Sequence, residues 1–397
     1  MQYKRDFNSI IKSTSSFFPI IILTGARQTG KTTLLKSLYP DINYISLDLP
    51  SLAEKAENSP SEFLREFKPP IIIDEVQYAP KLFRHIKQYV DENRHEMGQF
   101  FLTGSQKFLL MKEVGDSLAG RAAWLELETL SYSEINSTNP YSADPTGLAH
   151  LITRGMFPEL WRQPDLTSDI FYSTYLATYL ERDVREILNV TSLRDFERFI
   201  RILAIRSGQL LNKSEVAKDV GVSVKAISDW ISVLEASNQI VLLEPYFQNF
   251  SKRIIKNPKI YFNDTGLLSF LLKVSADNFF DTPFLGHLWE TFIFSEIRKQ
   301  NRVTKKPYNI FFYRDQRARE IDFFLERGGI VTLLESKWNE NPGQREIKHI
   351  KKISLEITES KVPIKMGNSF VISSTPHSST IEPQIESINL SHLIKLF

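Results

Sequence analysis

Short runs of apolar residues recur along the first third of the chain and alternate with stretches of mixed polarity. Residues 20–23 and 71–73 are continuous aliphatic runs. A third apolar run, which includes aromatic side chains, lies within residues 99–106. Continuous apolar runs of this length predict strands that are buried on both faces. Residues 31–38 have a helical pattern that stops before Pro40. This alternation of strands and helices predicts an α/β fold with a parallel sheet.

The first apolar run leads into a glycine-containing turn whose spacing is specific. The sequence GARQTGKT has the form G-x-x-x-x-G-K-[ST], with a strand before it and a helix after it. Such a turn lets backbone N–H groups and the helix N-terminus surround phosphate oxygens, while Lys31 reaches the β- and γ-phosphates. Thr32 would coordinate Mg²⁺. The alternative interpretation of the whole segment is a plain glycine turn before a helix, without a bound phosphate. The predicted nucleotide-binding residues are Gly25, Ala26, Arg27, Gln28, Thr29, Gly30, Lys31, Thr32 and Thr33.

Two carboxylates, Asp74 and Glu75, directly follow the second apolar run. A carboxylate at the C-terminal end of a parallel strand lies where ligands bind in open α/β sheets. We expect Asp74 to hold Mg²⁺ through water and Glu75 to polarise the attacking water. The pair is a weak motif alone, but it gains specificity because it follows a complete phosphate-binding turn.

Two further segments carry candidate catalytic groups. The third run ends in Thr103, Ser105 and Gln106, and one of these polar groups would orient the hydrolytic water. An ordinary strand-to-turn ending is the alternative. Arg121 precedes another predicted strand and would act as an arginine finger, in cis or from a neighbouring subunit. A surface or structural arginine is the other interpretation of this residue.

Five segments taken together resemble a prokaryotic family of AAA+-type P-loop ATPases. They are TGARQTGKTTLL, IIIDEVQ, FLTGSQ, SLAGR and LSYSEI, and the resemblance covers residues 15–140. It implies a doubly wound sheet that carries Walker A, Walker B and a sensor strand. It also implies ATP and Mg²⁺ as cofactors.

Residues 211–245 carry a helix–turn–helix pattern. A first helix begins over 214–219, Gly221 lies at the turn, and residues 224–236 form the next helix. The segment QIVLLEPY then resembles a strand that enters a wing. The pattern predicts a winged helix whose second helix can enter a major groove. The predicted inner face of that helix consists of Ile227, Ile231 and Leu234.

The polar surface of this segment decides whether it contacts DNA. The exposed face of the second helix would present Ser223, Lys225, Ser228 and Asp229. A nearby cationic group consists of Lys252, Arg253, Lys256 and Lys259. Such cations contact phosphates, and the counterions they release supply most of the non-specific affinity. A pure packing module is the alternative, and Asp229 disfavours DNA at that helix.

The segment EIDFFLERGGIVTLLESKW reads as two strands joined by a pair of glycines, yet it carries several charges. If the hairpin is symmetric about the glycines, Asp322 lies opposite Glu335, and Glu320 lies opposite Lys337. Alternation then places all four on one face, beside Phe324 and Leu333. Carboxylates that face each other repel, and a bound Mg²⁺ would satisfy both. A solvated charged face is the alternative.

An acid followed by E-x-K on the paired strand, with an upstream helical acid, resembles the PD-(D/E)xK nuclease core. Glu290 matches the helical acid, Asp322 matches the first strand acid, and Glu335 and Lys337 match E-x-K. The resemblance implies a restriction-endonuclease-like fold with a metal held by Asp322 and Glu335. Lys337 would stabilise a hydroxide or developing charge. Many folds of this kind bind DNA without cutting it, so cleavage stays open.

Composition limits these interpretations. The formal net charge is only +2, so a nucleic-acid surface would have to be a local patch. No cysteine is present, which excludes disulfides and thiolate metal sites. The N-terminus has no signal-peptide pattern, and the apolar runs are too short to span a bilayer. We therefore expect a soluble, cytoplasmic protein without a membrane partner.

The predicted organisation has four parts. They are an AAA+-like ATP-binding domain (1–140), a helical connector (141–205), a winged helix-turn-helix (206–262) and a nuclease-like domain (263–397). The first functional hypothesis is a DNA-associated ATPase with a possible nuclease site. The second is a nucleotide-dependent switch that engages a protein partner, with an inactive nuclease-like domain. A homo-oligomer stays open, because the sequence shows no separate signal for oligomerisation.

Overall fold

A computed structural model describes residues 3–104, 118–138, 142–179, 193–246, 256–360 and 362–397. The chain divides into two compact units. Unit 1 comprises Met1–Leu130, Phe157–Arg162 and Ala236–Asn238, and unit 2 comprises Ser131–Met156, Gln163–Glu235 and Gln239–Phe397. The four-part organisation expected from sequence is finer than this division and stays a prediction. Among the described residues, every helix is too short or too polar to span a bilayer.

The secondary structure of the described residues alternates helices and strands. The α-helices are α1 Asn8–Ser15, α2 Lys31–Leu38, α3 Pro50–Asn58, α4 Pro60–Glu66, α5 Leu82–Glu92, α6 Tyr132–Thr138, α7 Pro145–Arg154, α8 Pro158–Arg162, α9 Ser168–Tyr179, α10 Leu193–Ile205, α11 Lys213–Val220, α12 Val224–Ala236, α13 Thr265–Leu272, α14 Leu285–Val303, α15 Lys348–Glu359 and α16 Leu390–Ile394. The strands are β1 Ile20–Thr24, β2 Asn43–Ser46, β3 Ile71–Asp74, β4 Phe100–Thr103, β5 Ala122–Glu126, β6 Gln209–Leu210, β7 Ile240–Leu243, β8 Lys259–Phe262, β9 Asn309–Arg314, β10 Glu320–Arg327, β11 Ile330–Lys337, β12 Lys365–Met366, β13 Ser369–Ser373, β14 Ser379–Glu382 and β15 Ile385–Ile388.

Unit 1 contains a parallel sheet with the strand order β2-β3-β4-β1-β5. Its central strands β1, β3 and β4 are buried throughout, as their continuous apolar runs predicted. A parallel sheet requires both faces to be covered, so these runs have no polar alternation. The predicted α/β core is therefore confirmed. Because the strands are parallel, the carboxyl ends of β1, β3 and β4 meet at one edge of the sheet.

The first part of unit 2 packs helices against a small antiparallel sheet with the order β6-β8-β7. The side chain of Asn212 caps α11 by accepting from the backbone N–H groups of Ser214 and Glu215, at 3.1 and 3.3 Å. Gly221 ends this helix with a φ of +88°, which favours glycine. Residues 247–255, which include Lys252 and Arg253, lie outside the described residues. The predicted inner face of α12 is buried, and it consists of Ile227, Ile231 and Leu234.

The second part of unit 2 contains a mixed sheet with the order β14-β15-β13-β11-β10-β9. Strands β10 and β11 form the predicted hairpin, in which Arg327 pairs with Ile330 across the two glycines. Helices cover both faces of this hairpin. Phe294 of α14 stacks on Phe323 with ring centroids 5.7 Å apart, while Ile350 of α15 packs into the apolar cluster on the other face.

The hairpin departs from the strict alternation that the sequence predicted. The pairing of β9 with β10 shifts register between Ile321 and Phe324. These two residues belong to the same apolar cluster although they lie three positions apart. In a regular strand, residues an odd number of positions apart lie on opposite faces. The predicted common face of Asp322 and Phe324 is therefore wrong, because the irregularity lies between them.

Two glycines that end helices of unit 2 offer a matched test of packing. Gly155 and Gly221 both have a positive φ, at +78° and +88°. A Cβ atom at Gly155 would lie 1.9 Å from the hydroxyl of Tyr172, whereas one at Gly221 would meet nothing within 4 Å. That hydroxyl donates to Asp264 at 2.6 Å, so it cannot move freely.

We predict that Gly155→Ala destabilises the protein more than Gly221→Ala does. Gly221→Ala should lower the free energy of unfolding by about 1 kcal/mol through backbone strain. Gly155→Ala should cost a further ~1–3 kcal/mol because the methyl group overpacks the site. Urea denaturation followed by circular dichroism measures both, and equal losses would contradict the packing argument.

Candidate functional site

The glycine turn of unit 1 has the backbone geometry that its sequence predicted. Gly25 lies very close to Leu127, the residue that follows β5. A Cβ atom at Gly25 would lie 2.2 Å from the carbonyl oxygen of Leu127. Gly30 precedes α2 with a φ of +90°. Both positions therefore require glycine, one for close approach and one for its left-handed backbone. The turn delivers the N-terminus of α2 to the edge where the strands end.

Lys31 is buried inside this turn. Its Nζ donates to the carbonyl oxygens of Gly25 and Ala26, at 3.0 and 2.9 Å. The hydroxyl of Thr29 also donates to Ala26 at 2.9 Å. Carbonyl oxygens are neutral acceptors, and an ammonium group binds an anionic phosphate oxygen more strongly. The turn therefore holds the ammonium of Lys31 by contacts that a phosphate group could replace.

Asp74 is the point at which several elements of unit 1 meet. Its Oδ2 accepts from the hydroxyl of Thr32 at 2.8 Å and from that of Tyr44 at 2.9 Å. Its Oδ1 accepts from the hydroxyl of Thr103. The predicted residues Thr32, Asp74 and Thr103 are thus brought together, whereas Ser105 and Gln106 lie outside the described residues.

Tyr44 is a member of this group that sequence reasoning missed. It lies on β2, which is the neighbour of β3, and only the strand order brings it to Asp74. Burial and the adjacent charge of Asp74 raise the pKa of the Tyr44 hydroxyl to about 12, so it remains a hydrogen-bond donor. No local pattern around residue 44 signals this contact.

Glu75 and Arg121 have contacts that bear on their predicted roles. Glu75 has a positive φ of 53°, which is uncommon for a residue with a side chain, and it accepts from the side chain of Gln77. Arg121 forms a two-pronged pair with Asp91 of α5, with N–O distances of 2.6 and 3.0 Å. This pair fits the structural interpretation of Arg121. The finger role and the catalytic role of Glu75 stay predictions.

A cavity of about 620 Å³ lies beside the glycine turn within unit 1. Arg5 is a buried residue of its wall that sequence reasoning also missed. Its guanidinium donates to the carbonyl oxygen of Thr29 at 2.9 Å and to that of Glu128 at 2.7 Å. Arg5 therefore ties the turn to the segment that follows β5. The cavity is lined by Tyr3, Lys4, Arg5, Asn8, Gln28, Thr29, Gly30, Thr33, Leu34, Ser37, Leu130, Pro158, Glu159 and Arg162.

Unit 2 holds a second group of charged side chains, which we call the carboxylate cluster. The ammonium of Lys337 lies 2.8 Å from Glu335 and 3.3 Å from Asp322. Asp322 also accepts from the backbone N–H and the hydroxyl of Ser336, at 2.8 and 3.0 Å. The cluster consists of Lys259, Glu290, Glu320, Asp322, Glu335 and Lys337.

Lys259 joins the remaining acids of the carboxylate cluster. Its side chain is only 2% exposed, and its Nζ lies 2.8 Å from Glu290 and 2.5 Å from Glu320. The hydroxyl of Tyr261 donates to the same Glu290 oxygen at 2.6 Å. The predicted phosphate-contacting role of Lys259 is wrong, because a buried, paired ammonium cannot reach a nucleic acid. Glu320 forms ion pairs with Lys259 and with Arg314.

The two central acids of the cluster differ in their electrostatic state. Burial opposes the charge on Asp322, but Lys337, Lys259 and the two Ser336 donors outweigh it and hold its pKa at about 2. Burial and the charge of Asp322 raise the pKa of Glu335 well above its usual range. Both side chains are buried, which excludes the solvated-face alternative.

The residues of the cluster do not fit the predicted metal site. Within the described ranges, no three or more His, Cys, Asp or Glu side chains are arranged to hold a metal ion. The ammonium of Lys337 pairs with both Asp322 and Glu335, which the prediction had assigned to a metal ion. In unit 1, by contrast, Thr32 and Asp74 offer two hard oxygen donors of the kind that Mg²⁺ takes beside a nucleotide.

Comparisons with known protein families divide the chain into three segments. A family model described as an AAA domain matches residues 18–136. Two models described as domains of unknown function match residues 146–278 and 285–392. The first match supports an ATPase-like P-loop domain and hence nucleotide binding in that segment. The other two name no activity.

Relatives extend over most of the chain. A protein of Mycobacterium tuberculosis, described as uncharacterised, is 28% identical over 342 residues, covering 85% of this chain and 75% of its own. One of Methanocaldococcus jannaschii, also described as uncharacterised, is 23% identical over 377 residues, covering 87% and 81%. Among solved structures, a Walker-type ATPase of Pyrococcus abyssi has a TM-score of 0.47 at 15% identity, covering 68% of this chain and 96% of its own.

Arg5 should contribute to nucleotide binding through the turn that it anchors. We predict that Arg5→Ala raises the dissociation constant for ATP about tenfold, the equivalent of one charged hydrogen bond. Lys4→Ala is the matched control, because Lys4 lines the same cavity but is exposed. Titration with a fluorescent ATP analogue measures both variants. Equal changes in the dissociation constant would show that ATP binding depends only on positive charge near the cavity, and not on the hydrogen bond from Arg5 to Thr29.

Proposed function

We propose that this chain is a Mg²⁺-dependent ATPase in which unit 1 binds and hydrolyses ATP. One observation carries the proposal: Thr32 from the phosphate-binding turn and Asp74 from β3 meet at 2.8 Å. That contact joins the two motifs whose combination is specific to P-loop nucleotide sites. The AAA-domain match to residues 18–136 supports the same assignment.

Each group of unit 1 has a distinct role in this proposal. The backbone N–H groups of the turn and the N-terminus of α2 bind the phosphates. Lys31 leaves the carbonyl oxygens of Gly25 and Ala26 to contact the β- and γ-phosphates. Thr32 and Asp74 would hold Mg²⁺, which supplies positive charge to the phosphate oxygens. The cavity beside Arg5 receives the base and ribose of the nucleotide.

Hydrolysis requires a group that orients and polarises water. Glu75 follows the strand that carries Asp74, so its carboxylate belongs to the same edge of the sheet. Thr103 hydrogen-bonds to Asp74, so it positions that carboxylate. The proposal assigns Glu75 to water activation and Thr103 to positioning, and it keeps Ser105 as a candidate for orienting the hydrolytic water.

The function of unit 2 is proposed from its element order and its charges. The order α10-β6-α11-α12-β7-β8 is consistent with a winged helix that associates with DNA. The hairpin, together with Glu290, is consistent with a nuclease-like fold. The ion pairs within the carboxylate cluster favour the second hypothesis, a nucleotide-dependent switch in which unit 2 engages a protein partner and does not cut DNA.

ATP hydrolysis should depend on Lys31 and Glu75 in different ways. We expect Lys31→Ala to abolish tight ATP binding and hydrolysis, because the phosphates lose their cation. Glu75→Gln should retain binding and lower the hydrolysis rate about 100-fold or more, because water loses its general base. Phosphate release and nucleotide binding are measured together, with Lys12→Ala as the control for loss of an exposed lysine in α1. Wild-type turnover by Lys31→Ala protein would refute the ATPase.

Nuclease activity should be absent. We expect wild-type protein to leave duplex and single-stranded DNA intact in Mg²⁺ or Mn²⁺, because Asp322 and Glu335 are already paired with the ammonium of Lys337. Asp322→Ala protein prepared in parallel identifies contaminating nucleases, whose activity it would retain. Cleavage by wild type that is lost in Asp322→Ala would instead establish the first hypothesis.

A further inference from the structure

Lys259 has an unusual position for a cation. It begins β8, where its backbone pairs with Leu210 and Leu243 in the small antiparallel sheet. Its side chain, however, leaves that sheet and reaches acids carried by α14 and β10. A long, flexible side chain costs conformational entropy when it is fixed and buried. Only strong local partners offset this cost, and the acids of the carboxylate cluster provide them.

Three carboxylates converge on the ammonium of Lys259. Glu290 and Glu320 lie within hydrogen-bond distance, and Asp322 lies 3.8 Å away. An ammonium group has three N–H donors and a compact, localised charge. It therefore neutralises acids from several directions, as a small divalent cation does. From the sequence alone, Asp322 was expected to hold a metal ion together with Glu335.

We propose that Lys259 is a permanent internal cation that closes the carboxylate cluster to divalent metal ions. The acids of the cluster would be open to a metal ion only without this side chain, which supplies the positive charge in place of the ion. A Mg²⁺ or Mn²⁺ ion that approached Glu290 or Asp322 would meet the like charge of a buried ammonium at short range. The cluster thereby fastens β8 to α14 and β10 without an exchangeable ligand. This inference is independent of the ATPase proposal.

The ion pairs of Lys259 also explain why removal of this side chain should lower the stability of the protein. Removal of one partner from a buried ion pair leaves an uncompensated charge, which is strongly destabilising. After Lys259→Ala, Glu290, Glu320 and Asp322 would face one another across an emptied space. Carboxylate oxygens are the preferred ligands of Mn²⁺ and Mg²⁺. An added divalent cation should then restore what the lysine supplied.

The test uses the full-length protein without nucleotide and measures its melting temperature with and without MnCl₂. We expect MnCl₂ to leave wild type unchanged. Lys259→Ala should melt at a lower temperature, and MnCl₂ should raise that temperature by about 5 °C or more. The double variant Lys259→Ala, Asp322→Asn should lose this response. A Lys259→Ala protein that folds but gains nothing from MnCl₂ would overturn the proposal.

Lys299→Ala is the matched control for removal of a buried lysine. Lys299 lies on α14, and it pairs at 2.9 Å with Glu296, which accepts at 2.9 Å from the backbone N–H of Tyr132. Glu296 is the carboxylate with which Lys299 pairs, whereas three carboxylates converge on Lys259, so MnCl₂ should not restore the stability of Lys299→Ala. A recovery equal to that of Lys259→Ala would show a general effect of salt, and this also would overturn the proposal.

Wild-type protein provides a second measurement if Lys259→Ala does not fold. Electron paramagnetic resonance counts the Mn²⁺ ions bound to wild type and to Asp322→Asn without nucleotide. The proposal expects the same count for both proteins, because no ion enters the cluster. A manganese ion that binds wild type and is lost in Asp322→Asn would overturn it.

Discussion

A charge that is removed from water needs an opposite charge or several hydrogen bonds, and this requirement organises the buried charged groups of both units. Asp74 meets it with three hydroxyl donors, from Thr32, Tyr44 and Thr103. Lys259 meets it with carboxylates. In each case, the partners come from distant parts of the sequence. The buried charge is therefore also what fixes the relative positions of these elements within its unit.

The two buried charged groups differ in whether an ionic ligand could replace their present partners. Hydroxyl and carbonyl groups around Asp74 and Lys31 are neutral, so they satisfy the charges only in part and can yield to an ionic ligand. The ammonium groups around Asp322 are themselves buried or partly buried charges, and their displacement would expose unpaired acids. This difference supports the proposal that unit 1 exchanges its internal contacts for phosphate and Mg²⁺. The cluster of unit 2 is suited to remain as it is.

Sequence reasoning succeeded where the information was local. The spacing of Gly25, Gly30 and Lys31 defines one turn, and the hairpin register followed from two adjacent glycines. It failed where strand order or helix packing decided a contact. Tyr44 reaches Asp74 because β2 neighbours β3, and Arg5 reaches Thr29 across the unit. Neither position belongs to a motif, so no pattern in the chain could have indicated it.

The hairpin shows why a motif and a site are different things. The acids at 322 and 335 and the lysine at 337 have the spacing of a metal-dependent nuclease, and they do come together. The alternation of side chains along a strand could not predict the irregularity beside Asp322. The spacing of the motif could not predict that Lys259, on β8, contacts these acids. The added cation changes the charge balance of the same acids, and charge balance decides whether a divalent ion can bind. The chemistry of this cluster therefore depends on Lys259, a residue that lies outside the motif.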